Sequence, residues 1–81
     1  MKMTKAEVAD EIEAFVEGTG GEWDWDDFIH IPIDNPELER IRLRCEKLPE
    51  EFPPSQSGYY CSSEGIRVLE EIARELRQTA G

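Results

Sequence analysis

The sequence predicts a small, mainly α domain: three amphipathic helices, with a short helical turn and an extended connector between the first two. Three observations predict it. Apolar residues recur at helical spacing in three separate segments. Each segment is opened by a residue suited to capping a helix. Glycine or proline groups separate the segments. At 81 residues the chain has room for one domain, residues 1–81, and one small core. No segment is repeated.

The first helix opens on Thr4 and Glu7, the two ends of a capping box, with Met3 and Val8 placed as a hydrophobic staple around it. Val8, Ile12, Phe15 and Val16 then share one face, with Asp10, Glu11, Glu13 and Glu17 largely off it. Gly18, followed by Gly20 and Gly21, stops the helix. Asp24 and Asp27 stand at capping spacing around a short turn over Trp25–Phe28. The next residues, Ile29-His-Ile-Pro-Ile33, alternate like a half-buried strand, but Pro32 confines such a strand to an edge. They are expected to form an extended connector. An alternative α+β arrangement pairs Ile29–Ile33 with Ser57–Cys61 in a two-stranded ribbon.

Asn35 as N-cap and Pro36 at the first helical position open the next long helix. Its buried stripe is Leu38, Ile41, Cys45 and Leu48, and Pro49 is expected to end it. Phe52 anchors the Pro- and Ser-rich loop that follows, and Tyr59–Cys61 packs beside the connector. Ser62 caps the last helix, whose apolar face is Ile66, Leu69, Ile72, Ala73 and Leu76. Arg67 with Glu71, and Glu70 with Arg74, form exposed pairs one turn apart. Isolated helices of these lengths are marginal in water, so the three stripes must bury one another. Phe15, Ile41, Leu69 and Ile72 are expected in the core.

Charge is distributed unevenly. The formal net charge is -10, and from Ala6 to Glu39 the chain carries twelve acidic residues and no Lys or Arg. Beyond Glu39 seven acids are matched by seven bases. Concentrated like charge costs stability through self-repulsion, which suggests a use for the acidic face. The balance disfavours nucleic acid and anionic lipid as direct partners and suits a basic protein surface. The basic cluster Arg40, Arg42, Arg44 and Lys47 is too small for a nucleic-acid footprint and is expected to pair with acids of the first half.

No export signal or membrane-length apolar run is visible, which predicts a cytoplasmic protein. Cys45 and Cys61 then read as buried free thiols, with no second Cys or His at metal-ligand spacing from either.

The sharpest local feature is Glu22-Trp-Asp-Trp-Asp-Asp-Phe28. Glu22, Trp23, Asp24, Trp25, Asp26 and Asp27 form the candidate partner-binding patch, with aromatic anchors ringed by acids. The competing account has the two tryptophans filling the core while the aspartates solvate the turn. The calcium-loop spacing fails, because Phe28 and Ile29 occupy the fifth and sixth positions counted from Asp24. His30 with Asp26 or Asp27 is the candidate for acid–base chemistry or cation binding, but no motif supplies a nucleophile. No catalytic, cofactor or metal residue is assigned.

Trp-Asp-Trp-Asp-Asp-Phe, Ile-Pro-Ile, Leu-Pro-Glu-Glu-Phe-Pro-Pro and Tyr-Cys-Ser-Ser-Glu-Gly, spanning residues 22 to 65, together resemble a family of small acidic bacterial proteins of uncharacterised function. The resemblance implies no activity and no functional residue. The residues themselves predict a non-enzymatic interaction module whose acidic, aromatic-containing surface meets a basic partner, as an immunity-type or charge-mimic inhibitor would. The alternatives are a small enzyme or cation site around His30, Asp26 and Asp27, and a domain whose charge serves solubility alone.

Overall fold

A computed structural model describes residues 1–21, 24–55 and 60–80. Among them the chain forms four helices and no strand: α1 (Lys5–Glu17), α2 (Asp24–His30), α3 (Pro36–Glu51) and α4 (Ser63–Ala80). The mainly α class holds, with two corrections of detail. The turn expected over Trp25–Phe28 runs on through Ile29 and His30, so α2 is a fourth helix and the connector begins only at Ile31. Trp25, Phe28 and Ile29 are all buried. They lie three and four residues apart, and this helical period prevails over the alternation that starts at Ile29. The two-stranded ribbon loses its first strand for the same reason; Ser57–Tyr59 of the second lie outside the described residues.

The caps predicted at Thr4, Gly18 and Asn35 are in place, whereas among the described residues the Ser62 side chain makes no capping bond to α4. Thr4 Oγ1 accepts from the Glu7 N–H at 3.1 Å, and the Glu7 carboxylate accepts from the Thr4 N–H at 2.9 Å, closing the capping box. Gly18 ends α1 at φ +72°, a left-handed conformation that glycine adopts without a Cβ penalty. Asn35 Oδ1 accepts from the N–H groups of Glu37 and Leu38 ahead of α3. The Asp24 carboxylate accepts from the Gly21 N–H at 2.8 Å, so it ties α2 back to the turn after α1.

Pro49 does not end α3. The helix continues to Glu51 with the proline inside it. A proline there has no N–H for the carbonyl four residues back, which is that of Cys45. The Tyr60 hydroxyl supplies the missing donor, 2.6 Å from the Cys45 carbonyl. The proline's deletion is thus filled from the far side of the loop. Beside it the Ser62 N–H donates to the Phe52 carbonyl at 2.9 Å, closing the loop's two ends on each other. Gly65 makes that closure possible, since a Cβ at that position would lie 2.8 Å from Cys61 Sγ and 3.1 Å from Phe52 Cβ.

α1 packs most extensively on α4. Val8, Ala9 and Ile12 of the first and Leu69, Ala73 and Leu76 of the second belong to one core, with Trp25, Phe28, Ile29, Ile33, Leu38, Cys45, Leu48 and Cys61. Of the four core residues expected, Leu69 is fully buried, while Phe15, Ile41 and Ile72 are half-buried and packed against the core. Phe15 is the hub of an aromatic group. It stacks on Trp25 at 4.2 Å and 12° and meets Tyr60 edge-on at 5.4 Å. Trp25 in turn lies 5.3 Å from Phe28 and 5.8 Å from Tyr60. Such contacts add about 0.5–1.5 kcal/mol beyond area burial. They join α1, α2 and the start of the α4 segment.

Among the described residues no helix is long and apolar enough to cross a membrane. Leu69, fully buried at the centre of α4, tests the helical phase of the last segment. Leu69→Ala should destabilise by about 2–5 kcal/mol, read as a lowered midpoint in denaturant unfolding with an unchanged slope. A loss within ~0.5 kcal/mol would mean that Leu69 does not sit in the core.

Candidate interaction surface

The six candidate residues do not form one exposed patch. Asp24, Asp26 and Asp27 are exposed on α2. Trp25 is buried against Phe15, Phe28 and Tyr60, so it is a core filler and not a surface anchor. Its indole N–H has no hydrogen-bond partner among the described residues, although it lies near enough to the Tyr60 hydroxyl to oppose that group's rise in pKa. Glu22 and Trp23 lie outside the described residues. With Trp25 and Phe28 inside, the aromatic side of the expected surface is withdrawn and the acidic side remains.

Several acids of the first half find cations. Arg77, near the end of α4, reaches both Asp10 and Glu13 of α1, with Glu13 at 2.7 Å. Lys5 lies 3.9 Å from Glu37. Arg42, the buried charged residue of α3, holds Glu39 in a two-pronged pair, Nε to Oε1 and Nη2 to Oε2, each at 2.6 Å. Arg42 Nη1 also donates to the Ile29 carbonyl in the last turn of α2 and to Glu46 at 3.2 Å. Glu39 in addition accepts from the Ile33 N–H at 2.9 Å. The hydrogen bonds from Arg42 and from the Ile33 backbone hold the Glu39 carboxyl down to about 2.

Arg42 alone of the expected basic cluster makes such a pair. Among the described residues Arg40, Arg44 and Lys47 form no ion pair, and neither do the expected α4 pairs Arg67–Glu71 and Glu70–Arg74. Arg42 lies one residue beyond Ile41 on the predicted stripe, and nothing in the apolar spacing marks it as buried. The fork between Glu39 and Glu46, at i−3 and i+4, is the signal that identifies it.

Three of the acids that pair with no Lys or Arg among the described residues share one place. Glu11 of α1 and Asp24 and Asp27 of α2 border a groove of about 280 Å³ whose apolar walls are Met1, Met3, Phe28 and Ile31. Ile31 is 43% exposed there. No Lys or Arg lines this groove. Burial, reinforced by the charges of Asp24 and Asp10, holds the Glu11 carboxyl above its ordinary range. Like charges crowd here. The N-terminal ammonium of Met1, which also borders the groove, is engaged instead by the Pro32 carbonyl and Asp34.

His30 closes on its own helix. Its Nδ1 is 2.8 Å from the Asp26 carbonyl and 3.5 Å from the Asp26 carboxylate, on a side chain more than half exposed. As an N–H donor to that carbonyl, Nδ1 is already engaged. Both thiols are far from activation. Cys45 and Cys61 are free and buried, and burial pushes both thiols up, that of Cys45 to about 12. Among the described residues no group of three or more His, Cys, Asp or Glu side chains is arranged to hold a metal ion. Searches against protein-family models, curated proteins and solved structures find no match to the chain.

Two measurements test these electrostatics. Glu11 has a raised folded pKa, so the native state binds more protons than the unfolded chain as pH falls, and Glu11 contributes a penalty that is greatest at neutral pH. Glu11→Gln should therefore stabilise at pH 7 by a few tenths of a kcal/mol and flatten the stability gain from pH 7 toward the carboxylate range. A Glu11→Gln protein less stable than wild type at pH 7 would contradict the crowding.

Glu39 has the opposite sign. Its lowered folded pKa gives stability that is fully present above the unfolded value of 4.5 and is lost as pH falls to about 2. Glu39→Gln should lower Tm at neutral pH, and the gap from wild type should close between those limits. A gap constant across that window would show that the Arg42 pair is not its source.

Proposed function

We propose that this chain is a non-enzymatic interaction protein of the cytoplasm whose acidic surface receives a basic partner. The reading rests chiefly on the groove between α1 and α2. Three carboxylates from two helices, Glu11, Asp24 and Asp27, rim exposed apolar surface, and no Lys or Arg lines it. A partner that places an apolar side chain in the groove and Lys or Arg on its rim would relieve the crowding and cover Ile31 together. Complementary charge of this kind speeds encounter and fixes orientation more than it adds affinity. An inhibitor that blocks a basic protein, of the immunity or charge-mimic type, has this requirement.

An acid–base or cation site at His30 has less support. Asp26 engages the imidazole in local helix contacts, and no activated nucleophile accompanies them.

The test is a titration with a synthetic amphipathic peptide of Lys, Arg and Leu, followed by amide NMR shifts. Shifts should concentrate on Glu11, Asp24, Asp27 and Ile31. They should weaken as salt rises toward physiological strength, where the Debye length is about 8 Å, and be lost in the variant Glu11→Gln, Asp24→Asn, Asp27→Asn. Equal shifts with a Glu and Leu peptide, or shifts that persist in the neutralised variant, would overturn the reading.

A further inference from the structure

Three large apolar side chains are conspicuously exposed among the described residues: Met1, Ile31 and Leu43. Met1 and Ile31 lie in the acid-rimmed groove. Leu43 lies on α3, 40% exposed. It borders a shallow hollow with Arg44 and Lys47, which Glu50 and Glu51 close at one end. Arg40 and Lys47 stand three and four residues from Leu43, so both share its side of the helix. The bases of this strip, Arg40, Arg44 and Lys47, have no ion-pair partner among the described residues. The chain thus carries, on different elements, an apolar groove rimmed by acids that pair with no Lys or Arg and an apolar side chain flanked by bases that make no ion pair, with Glu50 and Glu51 at the margin of the second.

We infer that the partner of the acidic groove is a second copy of this chain, whose α3 strip places Leu43 against Ile31 with Arg40, Arg44 and Lys47 toward Glu11, Asp24 and Asp27. This rests on the reading of the groove as the site for a basic partner, and it names that partner. Both halves of the contact are described surface, and charge complementarity selects the occupant. A foreign basic protein would satisfy the groove but leave the strip exposed; a second copy satisfies one of each. The patches are unlike, so the contact is heterologous. The net charge of -10 on each copy opposes approach. The contact is therefore weak and belongs to the class of small, transient interfaces.

Sedimentation equilibrium tests the pairing. At about 0.15 M salt the Debye length of about 8 Å screens repulsion between whole copies while sparing pairs in contact. Across a range from tens of micromolar to about 1 mM, the weight-average mass of the wild-type chain should rise above that of the monomer. Ile31→Asp spoils the groove and Leu43→Asp the strip, and each variant alone should stay monomeric. Both positions are exposed, and circular dichroism verifies that the helices are retained. An equimolar mixture should recover a species of two copies, since one variant keeps its groove and the other its strip. A wild-type chain that stays monomeric, association that survives either substitution, or a mixture that remains monomeric would overturn the proposal. A monomer whose groove still takes the Lys, Arg and Leu peptide would refute self-pairing alone; loss of peptide binding would remove the basic-partner reading as well.

Discussion

Glu39 and Arg42 tie together three parts of the chain that share no regular hydrogen-bonded element. The guanidinium grips a carboxylate of its own helix and, on its other side, the Ile29 carbonyl in the last turn of α2. The carboxylate in turn receives the Ile33 N–H. The connector between α2 and α3 is too short to fold on its own, and these bonds set where it runs. A helix leaves its last carbonyls without intrahelical donors, and α2, at seven residues, is too short to stand without its buried Trp25, Phe28 and Ile29 and this bond at its end. Capping that end with a buried arginine helps a two-turn segment serve as a wall of the core. It also presents Asp24 and Asp27 beside Glu11. The arginine, the buried Trp25 and the Asp24–Gly21 bond together place that acidic rim.

The charge asymmetry is only partly carried into three dimensions. Arg77 crosses from the end of α4 to Asp10 and Glu13, and Lys5 approaches Glu37. The base-free stretch therefore borrows cations from both ends of the chain. At the α1–α2 junction Glu11, Asp24 and Asp27 pair with no Lys or Arg among the described residues. The useful distinction is between acids that folding supplies with a partner and acids that it crowds together.

What could be read in advance followed how local the physics is. The caps at Thr4, Gly18 and Asn35 depend on neighbours a few residues away, and the structure contains all three. The stripes of α1 and α4 are legible because their period is sustained. α2 is too short for that, and the Ile-Pro-Ile alternation after it competes for Ile29. Trp25 could not be assigned to core or surface until Phe15 and Tyr60, distant in sequence, were seen beside it. The groove needed tertiary contact as well: Glu11 is thirteen residues from Asp24, and no spacing rule brings them together. Arg42 looked like one member of a surface cluster because composition does not reveal burial.

Pro49 sits inside α3 although the sequence alone predicts a helix end there. A proline inside a helix ends it only if the carbonyl it abandons has nowhere else to go, and here Tyr60 accommodates that carbonyl from beyond the loop. Burial raises the Tyr60 hydroxyl to about 12, so it remains a donor throughout the physiological range. Positions 49 and 60 are consequently one unit of inheritance. With proline at 49 the phenol is needed; with any residue that restores the N–H, the carbonyl has a helix donor and no longer depends on the phenol, though its second lone pair can still accept from it. The effect of a change at either position therefore depends on the residue at the other. Sequences descended from this one should tolerate exchange at the two sites together more readily than at either alone.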